Sequence, residues 1–301
     1  MTAAALESGL MRLEREARSA RLQAPLALIA GLSGGLSGLE VAYQHYRGSY
    51  SRRIMWTPVM LSPALMVAGI WGSRSPRAAR TLLPAVSALV LADCAAGFVL
   101  HLRGIHRKPG GWRLPATNVA LGPPPLAPLL FGMSAYMGIV AARMRPAGPA
   151  GGSVALPAQR GVEHGRERGR ERGLERHLAL ITALSAVCSG VEALYSHYKS
   201  NFKYKAQWTP VVIAPLLAGA AIASLASRRS PKALLPAASA LAIADGAAGV
   251  LYHARGIARR PGGTQHLAYN VLYGPPILAP LLFAACGFLG ILASLLRKNP
   301  K

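Results

Sequence analysis

Acidic residues are scarce in this chain of 301 residues, which has 11 Asp and Glu against 34 Lys and Arg. The formal net charge is +23. A surplus of this size usually indicates a nucleic-acid partner. Here, however, the basic residues flank long apolar stretches, and the charge is split between the two faces of the membrane that those stretches predict. We therefore expect no nucleic-acid partner.

Cysteine is also rare, and its three positions, Cys94, Cys188 and Cys286, all lie in apolar stretches. Three unmatched thiols exclude a disulfide framework and a cysteine-based metal site. The chain also lacks a nucleophile elbow, a phosphate-binding loop and a dinucleotide fingerprint. These absences predict a protein that is not a stand-alone enzyme.

Charge is missing from windows that are too long for a buried soluble helix. Residues 22–39, 54–73, 114–142 and 206–227 carry no charged side chain, and 52% of all residues are hydrophobic. At about 1.5 Å per residue each window approaches or exceeds the ~30 Å of a bilayer core. The sequence predicts an all-α integral membrane protein with eight transmembrane helices. They are expected near residues 24–46, 57–73, 82–102, 118–142, 177–198, 208–227, 234–254 and 270–296.

The chain contains an internal repeat, because residues 24–142 recur as residues 177–296. The stretch LLPAVSALVLADCAAGFVLHLRGIHRKPGG, for example, returns as LLPAASALAIADGAAGVLYHARGIARRPGG. A duplicated unit of four spans returns to its starting side, so two tandem, parallel four-helix units related by a pseudo-twofold axis are predicted. The expected organisation is an amphipathic cytoplasmic segment (1–22), a first repeat (23–144), a Pro/Gly then Arg/Glu-rich cytoplasmic linker (145–176) and a second repeat (177–301).

Orientation is predicted from the distribution of Lys and Arg. The termini, the linker and the loops on their side carry 21 of the 34 basic residues, and the opposite side carries 13. Because excess positive charge remains in the cytoplasm, we expect a multi-pass protein of the cell (inner) membrane with both termini cytoplasmic. The 13 outer cations share their loops with no carboxylate, so they favour anionic groups, either lipid headgroups or an acidic partner.

Four acids lie inside apolar spans, and each pair recurs at an offset of 152 residues. They are Glu40 and Asp93 in the first repeat, and Glu192 and Asp245 in the second. Asp93 and Asp245 are the only Asp of the chain. A carboxylate in an apolar span is costly, so a recurring pair indicates a role. The predicted intramembrane polar network comprises Glu40, Tyr43, Asp93, Asn118, Glu192, Tyr195, Asp245 and Asn270.

Recurring histidines leave three functional interpretations open beside a purely structural network. The first is one haem b for each repeat, held by the axial pairs His45 with His101 and His197 with His253, with Arg103 and Arg255 near the propionates. The second is a divalent metal bound by the His and carboxylate side chains, although the familiar helical spacings are missing. The third is a proton or ion path in a carrier.

These features predict a membrane anchor or subunit with an outward-facing polar His/carboxylate site. Its cationic outer loops would dock an acidic extracytoplasmic protein or another anionic partner, with a redox link through haem b or quinone. The alternatives are a proton- or ion-coupled transporter of small molecules and a non-catalytic membrane scaffold with buried His–carboxylate pairs.

Overall fold

The computed structural model describes residues 22–144, 157–227 and 231–297, with side chains from residue 173 onward in the second range. The expected amphipathic segment 1–22 lies almost wholly outside the described residues, as does the Pro/Gly part of the linker. The described residues are helical with short 3₁₀ turns, and they contain no strand. The helices are α1 (Gln23–Arg47), α2 (Thr57–Arg74), α3 (Pro76–Arg80), α4 (Leu82–His106), α5 (Pro115–Ala120), α6 (Ala127–Arg143), α7 (Pro157–Lys199), α8 (Thr209–Ala226), α9 (Leu234–Ala258), α10 (Leu267–Tyr273) and α11 (Ala279–Leu296).

Seven helices in the described residues are long and apolar enough to cross a membrane, as expected for a helical multi-pass membrane protein. The fourth expected span, residues 118–142, differs from the prediction because these residues do not form one helix. The Gly–Pro–Pro stretch that begins at Gly122 interrupts it, and only the 17-residue α6 continues. A matching interruption at Gly274 separates α10 from α11. Consecutive prolines remove adjacent helix hydrogen bonds, which favours both breaks, whereas the single Pro63 and Pro215 lie inside unbroken helices.

Small residues allow α1 and α2 to cross closely. A Cβ placed on Gly69 would lie 2.5 Å from the Cα of Gly31, and one placed on Gly38 would lie 1.8 Å from the Ser62 hydroxyl oxygen. Lipid is as apolar as the side chains, so membrane helices gain their cohesion from such close backbone packing. Gly31 and Gly38 of α1 are therefore required for this close crossing.

The helices contact one another in two rings of four. The first ring joins α1, α2, α4 and α6, and the second joins α7, α8, α9 and α11. The rings meet where α6 packs on α7, and α11 touches α1 less extensively. One continuous set of buried Leu, Ala, Phe and Cys side chains runs through both rings.

The two ends of this bundle differ in content. At one end Gln23 donates to the carbonyl of Gly72 and Arg297 to the carbonyl of Ser227. The other end contains all the recurring polar motifs, and we call it the motif end. Its loops and helix starts are residues 47–57, 106–127, 199–209 and 258–279.

The loop after the first helix of each repeat has an unusual backbone. Ser49 and Tyr50 both have positive φ angles, 58° and 44°, as do Asn201 and Phe202 at 56° and 45°. Two adjacent non-glycine residues seldom adopt this region, so the surroundings must hold them there. Stacking provides part of that support, because the Tyr50 ring lies 4.0 Å from the ring of Trp56. Phe202 stacks on Trp208 in the same way.

Candidate functional site

The histidine near the end of the first helix fastens the following loop in both repeats. His45 Nδ1 lies 2.6 Å from the carbonyl oxygen of Met55, and His197 Nδ1 lies 2.7 Å from that of Gln207. A carbonyl oxygen can only accept, so Nδ1 carries the hydrogen. Each histidine therefore ties its helix to the 3₁₀ turn that leads into the second helix.

The histidine near the end of the third long helix fastens the interrupted helix instead. His101 Nδ1 donates to the carbonyl of Pro124 over 2.6 Å, and His253 Nδ1 donates to the carbonyl of Pro276 over 2.7 Å. The acceptor is in both cases the second proline of Gly–Pro–Pro. The break frees backbone carbonyls from helical bonding, and a side chain from the neighbouring helix satisfies one of them.

The two histidines of each repeat are neighbours. His45 is close enough to His101 for electrostatic interaction, and the same holds for His197 and His253. With Nδ1 committed to a carbonyl, Nε2 of each ring keeps its lone pair. Histidines that bind metals show this arrangement, in which a backbone carbonyl fixes the tautomer and the ring orientation.

Each intramembrane Asp contacts a threonine at the start of the second helix of its repeat. Thr57 Oγ1 contacts Asp93 Oδ1 and also lies 2.9 Å from the carbonyl of Ile54. Thr209 contacts Asp245 and the carbonyl of Ala206 in the same way.

A threonine hydroxyl has one hydrogen, so Thr57 cannot donate to both oxygens. Both contacts are hydrogen bonds at once when the Asp93 carboxyl is protonated and donates to Thr57, while Thr57 donates to Ile54. If Asp93 is ionised, the Thr57 hydroxyl can bond to only one of these two acceptors at a time.

The buried asparagines close the turn after the third long helix. Asn118 Nδ2 donates to the carbonyls of Pro109 and Gly111 over 3.0 and 2.8 Å. Asn270 makes the equivalent bonds to Pro261 and Gly263. The turn needs its glycines, since Gly110 and Gly111 have φ angles of 80° and 48°. These asparagines thus shape a loop that carries exposed cations.

Glu192 and Tyr195 of α7 hold the broken helix of the first repeat. Glu192 Oε1 accepts from the N–H of Leu126 over 3.1 Å and also from the N–H of Ala127, at the start of α6. Tyr195 Oη donates to the carbonyl of Ala120 over 2.9 Å, and the carbonyl of Gly122 lies at 3.3 Å. One carboxyl and one hydroxyl therefore satisfy backbone groups on both sides of the break.

Glu40 and Tyr43 occupy the same places on α1, yet they make only local bonds. Glu40 Oε1 accepts from Gln44 over 2.8 Å. Tyr43 Oη accepts from the Arg47 guanidinium over 3.3 Å. The four residues lie within about two turns of α1, and neither of these bonds reaches the second repeat.

The two arginines proposed for haem propionates, Arg103 and Arg255, are exposed on the last turns of α4 and α9. Within the described residues, no group of three or more His, Cys, Asp or Glu side chains is arranged to hold a metal ion. The histidines proposed as haem ligands, His45 with His101 and His197 with His253, each have Nδ1 bound to a backbone carbonyl.

Sequence reasoning missed the threonines and the loop aromatics. Thr57 and Thr209 follow Trp in the recurring Trp–Thr–Pro motif, so the repeat itself could have revealed them. The aromatic residue at Tyr50 and Phe202 also recurs by type. Its role depends on the left-handed backbone, which no sequence pattern here predicts.

Comparison of the chain with known protein families, with curated proteins and with solved structures gives no match.

Proposed function

We propose that the protein is a membrane anchor or subunit that docks an acidic extracytoplasmic partner protein on its motif end. The single observation that carries this proposal is where the recurring polar side chains bind. His, Asn, Glu and Tyr hydrogen-bond to backbone groups of motif-end segments, and the same His and Asn bonds occur in both repeats. Such bonds fix the backbone that presents the cations.

The cations themselves are numerous and outward-pointing. Of the 13 Lys and Arg on the side of the motif end, eleven are exposed. The remaining two, Lys108 and Arg260, are partly exposed and occupy equivalent positions in the two repeats. The motif-end loops contain no Asp or Glu that would neutralise them. A cationic surface without internal partners attracts acidic surfaces at long range.

Rigidity favours a protein partner over lipid headgroups. Headgroups adapt to flexible Lys and Arg side chains and need no fixed backbone beneath them. A protein partner benefits from a preorganised surface, because less conformational entropy is lost on binding. The fixed loops therefore support docking of one specific acidic partner.

Charge reversal at the motif end tests this proposal. Arg52, Arg53, Lys203 and Lys205 are exposed, so replacing all four by Glu leaves the core intact. We expect the variant to lose an extracytoplasmic protein that co-purifies with the parent in mild detergent, and added salt should weaken the parent complex.

The matched control reverses exposed cations at the opposite end, Arg74, Arg77 and Arg80. This control should retain the partner. The docking proposal is wrong if both variants keep the partner protein. It is also wrong if both variants lose the partner protein and lose binding to anionic lipids at the same time.

A second candidate function, electron transfer through haem b, rests on the paired histidines. His45 and His101 lie near each other, and each keeps a free Nε2. When bound, haem would supply one-electron chemistry. The purified parent should then show a Soret band, His101→Ala and His253→Ala should each remove about half of it, and His106→Ala should remove none. A parent without haem absorbance ends this candidate.

A further inference from the structure

The two junctions between the repeats should be alike, but only one of them is sealed at the motif end. The first junction joins α7 to the break between α5 and α6. The second junction joins α1 to the break between α10 and α11, since α1 corresponds to α7 and α11 to α6. These two junctions can therefore be compared residue by residue at an offset of 152.

At the first junction the break is saturated with hydrogen bonds from α7. Glu192 takes the N–H groups of Leu126 and Ala127, and Tyr195 reaches the carbonyls of Ala120 and Gly122. Carboxylates at helix N-termini are stabilising, because they satisfy free N–H groups and interact favourably with the helix dipole. This junction serves as an internal reference.

At the second junction the same groups exist but do not meet. Glu40 and Tyr43 bond to Gln44 and Arg47 on their own helix. Neither Glu40 nor Tyr43 reaches Leu278 or Ala279 at the start of α11, because the bonds of both side chains stay on α1. A carboxyl acceptor and its expected donors are thus present on adjacent helices, unjoined.

A groove separates the two sides of the second junction. Its volume is about 570 Å³, and it is lined by Tyr46, Arg47, Ser49 and Tyr50 from the end of α1 and by Tyr273 from the end of α10. Glu40 and Tyr43 lie about one turn before this stretch of α1 and do not line the groove. The groove therefore separates the end of α1 from the end of α10 at the motif end of the second junction.

We propose that the second junction is a gate that closes when Glu40 caps the start of α11 and Tyr43 binds the 272–274 backbone. Closure exchanges the Glu40–Gln44 bond for the bonds that Glu192 makes at the reference junction, where Lys199 still donates to Tyr195 as Arg47 does to Tyr43. The closed state gives the N–H groups at the start of α11 a carboxyl acceptor. The second junction therefore has two states, while the His and Asn bonds within each repeat keep their loops fixed, and a ligand or partner that binds one state better shifts the population.

Distances between spin labels test this gate. Labels at Ser51→Cys and Thr264→Cys flank the second junction in exposed loops, outside the groove. The equivalent pair, Lys203→Cys and Trp112→Cys, flanks the reference junction. The three buried cysteines are first replaced by residues that fit, Cys94→Ala, Cys188→Leu and Cys286→Ser, of which the last two are the counterparts in the other repeat.

We expect two distance populations for 51/264, the shorter matching the single distance for 203/112. Glu40→Leu and Tyr43→Phe should each deplete the shorter population by several-fold, while the 203/112 distance stays unchanged. A single long distance that neither substitution alters would overturn the gate. The gate is also overturned if the short distance appears only when chains that carry one label each are mixed. In that case a second copy of the protein would occupy the junction.

Discussion

At the scale of single residues, the polar side chains inside the described spans bond mainly to hydroxyls and backbone groups, and Glu192 and Tyr195 do so across the two repeats. Asp93 contacts Thr57, Asn118 bonds to a turn, and the histidines bond to carbonyls. Asp93, Asn118 and the histidines thus have partners on other segments, whereas Glu40 bonds only to the Gln44 side chain on its own helix. The expected His–carboxylate pairs remain a hypothesis, whereas these bonds are geometric facts of the fold.

Replacement of Asp93 tests whether its carboxyl is neutral. Asp93→Asn keeps a donor for Thr57, so we expect stability close to the parent. Asp93→Leu leaves the hydroxyl without that donor and should cost about 1–3 kcal/mol. Unfolding in detergent measures both effects.

Infrared spectroscopy provides an independent readout of the same proton. The protonated-carboxyl band of the parent should decrease in Asp93→Asn and decrease further when Asp245→Asn is added. An unchanged band in the double variant would show that both groups are ionised, contrary to the hydrogen count at Thr57 and Thr209.

Asn118 gives a second prediction at this scale. Asn118→Ala removes both bonds that close the Pro–Gly–Gly turn, to Pro109 and Gly111, and leaves their carbonyls to compete for water. We expect a loss of about 1–3 kcal/mol in the free energy of unfolding. Gln265→Ala is the control, because its side chain is exposed in the equivalent turn of the second repeat. Equal losses in the two variants would argue against a special role for Asn118.

The repeat made most of these residues predictable, but not their partners. Recurrence singled out Glu40, Asp93, Asn118 and the histidines because both copies retain them. Their partners are mostly backbone atoms, which have no sequence signature, so the sequence could not show that His101 bonds to Pro124. It also could not show that Glu192 and Glu40 differ in environment, since their local sequences are alike.

At the scale of elements, the interrupted helix is the main departure from the predicted spans. Hydropathy alone merges α5 and α6 into one apolar segment, because prolines and glycines do not lower it much. The break depends on backbone hydrogen bonding and on close contacts, which hydropathy does not measure. The six predicted spans outside these two breaks correspond to helices of the structure.

Gly122 tests how tightly this break is built. A Cβ at Gly122 would lie 2.4 Å from the carbonyl oxygen of Asn118 and 2.9 Å from Ile105 Cγ1. We therefore expect Gly122→Ala to destabilise the protein by about 1–3 kcal/mol through overpacking. Gly219→Ala is the matched control, because a Cβ there meets no atom within 4 Å.

The control should be neutral or slightly stabilising, since alanine favours a helix more than glycine does. Thermal unfolding of both variants under one detergent condition gives the comparison. If Gly122→Ala is as stable as Gly219→Ala, the break is looser than the contacts indicate.

At the scale of the whole molecule, orientation decides what the motif end can meet. The proposal of an extracytoplasmic partner requires the linker and the termini to be cytoplasmic. A cysteine at Ser153 should be protected from a membrane-impermeant reagent in intact cells, and one at the exposed Ser200 should react. The reverse pattern would place the cationic loops in the cytoplasm and contradict the docking proposal.

The helices that follow the two breaks are short, and this has a consequence for the surrounding bilayer. α6 has 17 residues and α11 has 18, which correspond to about 26 and 27 Å of helix, whereas α1 has 25 residues. A hydrocarbon core of about 30 Å exceeds both, so lipids beside these helices must compress. The protein should then be more heat-stable in bilayers of 14-carbon than of 20-carbon lipids, and in a cell it should concentrate where the membrane is thinnest.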